Sequence, residues 1–504
     1  MNVQLDKLSS IPLYQQLVEQ IRQLIRSGAL LPGDRLPPER KLAQQLAVNR
    51  TTILNAYREL KAEGFVTSHV GQGTVVSDTG EAARLPGATH KEPEWSHFFS
   101  AYGNRIRDDS LGELLNIANR EDVISFAAGI ANYDAGPLAD MRDIIDQLLD
   151  RQARQSLMLS PVEGFYSLRA AVANYMADRG CAVRPDEILI LSGSQQGIDL
   201  TARILLDPGD VVVVEEPTYF PAIQIFRALG ARVIGVPMDE HGMRMDILEE
   251  LFHRHRPKFI YTMPSFHNPT GYELHDLRRQ KLVDLAQQYK VLVLEDDAYG
   301  SFYYDRPAKA PLKSLDQAGY VLYLSTFTKM IYPGIRVGWL AASPALIRRL
   351  SSARQTEDLH TNSLAQRIVE QLLTSGKLAL HMECIRAVYR KRRDVMLEAL
   401  KVFSPAGMTW IQPHGGYYIW CMLPEGVFAR PLLALAAQEG VAFVPGSQFF
   451  PGEGGAQWLR LTFTCAPEEQ IRPGIEILCQ CVRKLQKIQS DKQKHPITEI
   501  NPVL

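Results

Sequence analysis

The sequence predicts an all-α/β chain of two domains, an N-terminal winged helix-turn-helix followed by an α/β domain on a mainly parallel sheet. Three observations point there. At 504 residues the chain exceeds one ordinary domain. Residues 1–77 carry three helical patterns and then two short β runs about a Gly-rich turn. Further on, the apolar runs Val211 to Val214, Arg232 to Val236, Phe259 to Thr262, Val291 to Leu294 and Val321 to Leu324 alternate with helical segments, as strands with crossover helices do.

In the first domain, Leu13, Leu17, Ile21, Leu24 and Ile25 share one helical face, and Gly28 and Pro32-Gly33 end that helix. A second short helix starts at Pro38 and carries Leu42, Ala43 and Leu46. A third runs from about Arg50 to Glu63, with Asn49 as its cap and Gly64 after it. A hairpin follows: Phe65 to Ser68, the turn Val70-Gly71-Gln72-Gly73, and Thr74 to Ser77. In such a unit the third helix enters the major groove and the wing tip approaches the backbone or minor groove. Residues 1–76 hold nine Lys/Arg and six Asp/Glu, a net of +3, the mild bias of one local DNA-facing surface. A three-helix protein-interaction module is the alternative on pattern alone.

Residues 78–108 shift toward Gly, Ala, Glu, Pro and His without periodicity and read as a linker. Its Trp95, Phe98, Phe99 and Tyr102 imply that the second half docks. Residues 109–488 make the second domain, and a frayed tail is expected over 489–504. The formal net charge of −1 leaves no global attraction to a polyanion. The six cysteines have no metal spacing, and no signal-peptide pattern is seen. No apolar run approaches membrane-spanning length. Reduced thiols, a cytoplasmic location and no membrane association are expected.

The chemistry is organised around Ser325-Thr326-Phe327-Thr328-Lys329-Met330-Ile331-Tyr332-Pro333-Gly334-Ile335-Arg336. A lysine amine forms an imine with an aldehyde, and a pyridoxal ring then serves as an electron sink. Thr326, Thr328 and Arg336 are the donors a phosphate beside this lysine would need. A lone lysine is more often a solvated charge, so the neighbouring motifs decide. Ile188 to Leu191 runs into Ser192-Gly193-Ser194-Gln195-Gln196-Gly197, a strand entering a small-residue turn and a helix. Free amides at a helix start bind anions, which makes Ser194, Gln195 and Gln196 a phosphate cup. Glu215-Glu216-Pro217-Thr218-Tyr219, Phe266-His267-Asn268-Pro269-Thr270-Gly271, Glu295-Asp296-Asp297-Ala298-Tyr299 and Trp458-Leu459-Arg460-Leu461 follow in order.

Together these motifs resemble the fold type I pyridoxal-phosphate aminotransferases of class I/II, over roughly residues 110 to 485. The resemblance implies the fold type I large domain with a smaller C-terminal α+β subdomain from about residue 345. It implies pyridoxal 5'-phosphate as cofactor, bound to Lys329. Tyr219 would stack on the ring, Asn268 and Tyr299 would meet the ring oxygen, and Asp296 would face the ring nitrogen. Arg460 would fork onto a substrate α-carboxylate. Lys329, Asp296 and Tyr219 are the candidate catalytic residues, with Glu295 and Asp297 as solvated or supporting neighbours. One position departs from the pattern: Leu159 stands where the family has a tyrosine that reaches the partner subunit's phosphate.

Pro32-Gly33-Asp34-Arg35-Leu36-Pro37-Pro38-Glu39-Arg40-Lys41-Leu42-Ala43 and Asn49-Arg50-Thr51-Thr52 resemble the GntR DNA-binding domain. On that resemblance Arg40, Arg50, Thr51 and Thr52 contact DNA, with Gly71 at the wing. The fusion of the two resembles the MocR regulators. That family implies a homodimer on double-stranded DNA, reading an operator with two half-sites. The expected function is transcriptional regulation in which an amino acid or amine displaces Lys329 to form an external aldimine. A working aminotransferase with an added DNA-binding domain is the alternative, and a regulator sensing pyridoxal phosphate itself is the second. Selectivity would come from Ala127 to Tyr133 and from Gln355 to Asn362.

Overall fold

A computed structural model of the chain describes residues 5, 12–26, 30, 33–69, 73–77, 95–106, 122–130 and 136–494. They fall into two compact units, residues 1–98 and 99–504.

The first unit contains helices Leu13–Arg26, Glu39–Gln45 and Arg50–Ala62 and the antiparallel hairpin Val66–His69 with Gly73–Val76. Leu17, Ile21, Ile53 and Leu60 are fully buried between them, each contributing about 1.5–3 kcal/mol. Asn49 caps the third helix by accepting from the Thr51 amide at 3.1 Å, worth about 1 kcal/mol. Tyr57 donates to the Pro37 carbonyl at 2.8 Å, which ties that helix to the start of the second. The Gly33–Leu36 segment lines the hairpin through Gly33 N to Val76 O and Leu36 N to Thr74 O, both 2.9 Å. Gly28 and Gly71 lie outside the described residues.

Within the expected linker, Ala101–Arg105 is a helix. It packs on helix Phe220–Ala228, and Arg105 Nε donates to the Ala228 carbonyl at 2.9 Å. The aromatics expected to dock stay largely open, with Phe98 72% and Phe99 53% exposed. The guanidinium, not the rings, makes the anchoring hydrogen bond.

The second unit is built on eight strands, in spatial order Ile188–Leu191, Gly338–Ala341, Val321–Thr326, Leu292–Asp296, Phe259–Thr262, Val211–Glu216, Arg232–Asp239 and Gly242–Met243. The five strands from Val321–Thr326 to Arg232–Asp239 are mutually parallel. Gly338–Ala341 was not expected as a strand. It runs antiparallel between its two neighbours, with Trp339 buried against Phe327 at 4.6 Å between ring centroids. Both faces are covered. Val212, Val214, Phe259, Tyr261 and Leu294 join one apolar cluster, while Val213, Ile260 and Val293 join another. That alternation is the period of a strand buried on both sides.

Helix Lys377–Phe403 leads into the smaller part. There Thr409–Trp410, Tyr418–Met422, Trp458–Thr462 and Val444–Pro445 form an antiparallel sheet in that order. Helix Glu468–Lys494 runs past Gln489, so the expected tail is helical up to Lys494. Among the described residues no helix is long and apolar enough to cross a membrane.

Candidate functional site

The motif residues of the second unit meet where the parallel strands end, the usual ligand position of open α/β sheets. Asp296 closes strand Leu292–Asp296, and Lys329 lies just beyond Val321–Thr326. Tyr219 and Asn268 follow Val211–Glu216 and Phe259–Thr262. Ser194, Tyr219, Asn268, Asp296, Lys329 and Arg460 line one cavity of about 270 Å³.

Helix Ser194–Leu205 begins without a side-chain cap, after Gly193 at φ +98°, so its first amides are left for a ligand. A side chain at Gly193 would come within 2.8 Å of Arg336 Nη2. Arg336 itself sits in the left-handed region at φ +48° and donates to the Ser192 carbonyl at 2.9 Å. Gln195 Oε1 accepts from Tyr219 Oη at 3.1 Å. Gln196 is turned elsewhere: its side chain accepts from Ser192 N and donates to Asp358, both at 2.8 Å. Thr326 Oγ1 is occupied by the Val337 carbonyl and the Thr328 amide. Thr328 Oγ1 is buried with no hydrogen-bond partner.

Lys329 Nζ donates to the Gly129 carbonyl at 2.5 Å. Burial, then the Arg460 and Arg336 charges, lower its pKa to about 8 against the pull of Asp296. Asp296 accepts from Tyr261 Oη at 2.7 Å through Oδ2, and its Oδ1 is buried without a partner. Burial raises this carboxyl to about 7, against the Tyr261 hydrogen bond that stabilises its charge, with Asp297 adding to the rise and Lys329 opposing it.

The neighbouring acids are not solvated. Glu295 is fully buried and accepts from the Leu312 and Lys313 amides at 2.7 and 2.9 Å. Asp297, 1% exposed, pairs with Arg179 at 2.7 Å.

Arg460 Nη1 donates to Asn268 Oδ1 at 2.9 Å and Nη2 to the Ala127 carbonyl at 2.7 Å. Its guanidinium lies 4.2 Å from the Tyr418 ring centroid and 5.0 Å from that of Phe449. Its Nε is buried and unpaired. With Oδ1 committed, the Asn268 amide nitrogen keeps its two donors for another acceptor. Tyr299 Oη is 2.8 Å from Tyr418 Oη, and burial pushes the Tyr299 phenol well above its ordinary value.

Sequence reasoning missed Tyr261 and Tyr418, and it named Gly129 only within a selectivity segment, not as the partner of Lys329. The signal for Tyr261 was a phenol inside an apolar strand, which needs a polar partner once buried. For Tyr418 and Gly129 no local motif announces the contact. Of the segments expected to set selectivity, Ala131 to Tyr133 lie outside the described residues. His360 and Thr361 follow Leu359, which adopts φ +64°.

In the first unit Arg40, Arg50 and Thr51 are exposed and Thr52 is half-buried, at the starts of the second and third helices. Arg50 reaches Glu39 at 3.1 Å with its side chain 56% exposed. Exposed cations beside helix N-termini suit phosphate contacts.

Residues 121–478 match the family model for aminotransferase class I and II, and residues 13–76 match that for bacterial regulatory proteins of the gntR family. The aromatic-amino-acid aminotransferase 1 of Thermococcus litoralis is 38% identical, over 78% of this chain and 96% of that protein. The HTH-type transcriptional regulator YdfD of Bacillus subtilis is 29% identical over 95% of this chain and 98% of its own length. The kynurenine aminotransferase of Pyrococcus horikoshii, solved in complex with PMP, superposes with a TM-score of 0.75 at 37% identity, covering 78% of this chain and 98% of that one.

These relationships indicate pyridoxal phosphate as the cofactor. The residues present fit it. A lysine of lowered pKa lining the cavity, an unpaired Asp296 oxygen for a protonated ring nitrogen, an unpaired Thr328 hydroxyl and the uncapped amides of helix Ser194–Leu205 are donors and acceptors that suit the group. Among the described residues no cluster of side chains suits a metal ion.

Proposed function

We propose that this chain, which belongs to the aminotransferase class I and II family and carries an N-terminal domain of the gntR family of bacterial regulatory proteins, is a MocR-type transcriptional regulator whose aminotransferase-like domain responds to an amino compound. The observation that carries the reading is the presence, in one chain, of a winged helix and a cavity holding Lys329, Asp296 and Arg460 together. An enzyme needs no winged helix.

When bound, pyridoxal phosphate supplies a carbonyl for an amine and a ring that accepts an electron pair. The protein's residues do the rest. Lys329 Nζ, with its pKa lowered to about 8, has a substantial neutral fraction near physiological pH and is a competent nucleophile and proton acceptor. Asp296 Oδ1, buried without a partner, would accept the ring N–H. Tyr219 would lie against the ring, and Asn268 and Tyr299 would donate to the ring oxygen. Ser194, the amides of Gln195 and Gln196, Thr328 and Arg336 would hold the phosphate, while Thr326, expected among these donors, gives its proton to the Val337 carbonyl and would only support Thr328. Arg460 would orient the carboxylate of an amino compound entering the cavity. A ligand shifts such a protein only as far as it binds two states differently.

Arg40, Arg50, Thr51 and Thr52 are the proposed DNA contacts, with Gly71 at the wing. A homodimer is supported by the exposed apolar run Leu157, Met158 and Leu159, at 63, 58 and 75% exposure, which a second copy would cover. Two winged helices then suit an operator of two half-sites.

The likeness to named aminotransferases favours a second reading, an active transaminase. One experiment separates them. Amino acids and amines are added to the cofactor-loaded protein while its visible absorbance, keto-acid release and affinity for a promoter fragment are followed. A spectral change with altered DNA affinity and no keto acid supports the regulator. Keto-acid release with unchanged DNA affinity supports the enzyme. A regulator of pyridoxal phosphate alone would show neither change, and Arg460 argues against it, because sensing the cofactor needs no carboxylate fork.

A further inference from the structure

Two contacts to one atom of the cofactor, the ring oxygen, are proposed above, from Asn268 and from Tyr299. Behind each stands a second residue. Arg460 Nη1 donates to Asn268 Oδ1 at 2.9 Å, and Tyr418 Oη meets Tyr299 Oη at 2.8 Å. These two backing residues also touch each other, with the Arg460 guanidinium 4.2 Å from the Tyr418 ring centroid. Tyr418 is 2% exposed and lines the cavity. Its hydroxyl is confined on a further side: a Cβ at Gly129 would lie 1.9 Å from it. The Gly129 carbonyl is the acceptor of Lys329 Nζ.

We infer that Tyr418 is a positioning residue that connects the carboxylate anchor to the cofactor's ring oxygen, its ring carrying Arg460 and its hydroxyl orienting the Tyr299 proton. This rests on the proposed role of Arg460. If Tyr299 gives its proton to the ring oxygen, its own oxygen can only accept, so Tyr418 must be the donor of the pair. Two hydroxyls in series polarise one another and strengthen the outer hydrogen bond. A carboxylate reaching Arg460 draws its guanidinium toward the new partner. That loosens both the stack on Tyr418 and the bond to Asn268, so occupancy of the anchor is registered at the ring oxygen from two sides.

The test uses the full-length, cofactor-loaded protein and Tyr418→Phe, which removes one hydroxyl and keeps the ring. The pH midpoint of the visible absorbance is measured with and without 3-phenylpropionate, a carboxylate that has no amine and cannot displace Lys329. Without its second donor the ring oxygen holds the shared proton more tightly, so the midpoint should rise by about 0.5–1 unit in Tyr418→Phe. The shift that 3-phenylpropionate produces in the parent should shrink by at least about half in the variant. A midpoint identical to the parent's, with an undiminished 3-phenylpropionate shift, overturns the inference. Arg460→Ala is run alongside. A 3-phenylpropionate shift that persists there overturns the carboxylate role of Arg460 itself, whereas its loss there with no effect of Tyr418→Phe sinks only the role of Tyr418.

Discussion

Tyr261 Oη donates a 2.7 Å hydrogen bond to Oδ2 of Asp296 while Oδ1 of the same carboxylate is buried and unpaired. The tyrosine stands on the neighbouring parallel strand. The carboxylate is thus held in orientation by one oxygen and left one donor short at the other, in surroundings that raise its pKa to about 7.

That shift makes Asp296 a pH-dependent weakness of the cofactor-free protein. Its folded pKa lies above the unfolded value near 3.8, so its contribution is most favourable below about pH 4 and is lost as pH rises through about 7. In the cofactor-free state Asp296→Asn should therefore be more stable than the parent at pH 8, by on the order of 2–4 kcal/mol, and nearly equal to it at pH 4. Denaturation of the second unit at both pH values checks this. With cofactor bound the order should reverse, because Asn offers no charge to a protonated ring nitrogen.

Lys329 has the opposite sign. Its amine reacts only when neutral, and its pKa is lowered to about 8. The rate at which the cofactor-free protein develops visible absorbance on adding pyridoxal phosphate should climb between about pH 7 and 9 and then level off. A rate independent of pH over that range contradicts the buried environment described. Lys329→Ala should give no such band while keeping its folded circular dichroism.

Arg460→Ala removes a guanidinium that already holds Asn268 and the Ala127 carbonyl. Recognition of an amino acid should weaken by about 2–4 kcal/mol, roughly 30- to 1,000-fold. Cofactor content should be unchanged, measured by absorbance after dialysis. Loss of the cofactor in this variant would count against the carboxylate role.

Arg50 is exposed and bridged to Glu39 at 3.1 Å. Arg50→Ala should weaken binding to a cognate promoter fragment and, for a phosphate contact, reduce the slope of log K against log salt by about one. Equal affinity and slope in the variant would remove the third helix from the DNA surface. Glu39→Gln frees the guanidinium and should act in the other direction, tightening binding by a few-fold at low salt.

Much of this protein is written locally. The capped third helix with its Asn49, the Gly193 turn that only a residue without Cβ can make beside Arg336, and the residues at strand ends each follow from short-range chemistry. They could be read in order along the chain. The antiparallel strand around Trp339 could not, because its four residues are surrounded by turn chemistry and take strand geometry only by pairing with both neighbours. The same holds for the burial of Glu295, which looked like one acid among three until the Leu312 and Lys313 amides closed on it.

By itself, then, the sequence determined the two domains, the parallel sheet and which residues line the candidate site, because those side chains sit in contiguous motifs at the ends of apolar strands. Tertiary structure alone decided which atoms are committed and which are left free. Tyr261 reaches Asp296 by strand register, and Arg460 reaches Asn268 across 192 positions of sequence. Tyr418, on the small antiparallel sheet, meets Tyr299, just beyond a strand of the large one, across 119 positions of sequence. Such pairs carry no sequence signature, since hydrogen bonds are satisfied by neighbours in space and the fold supplies them.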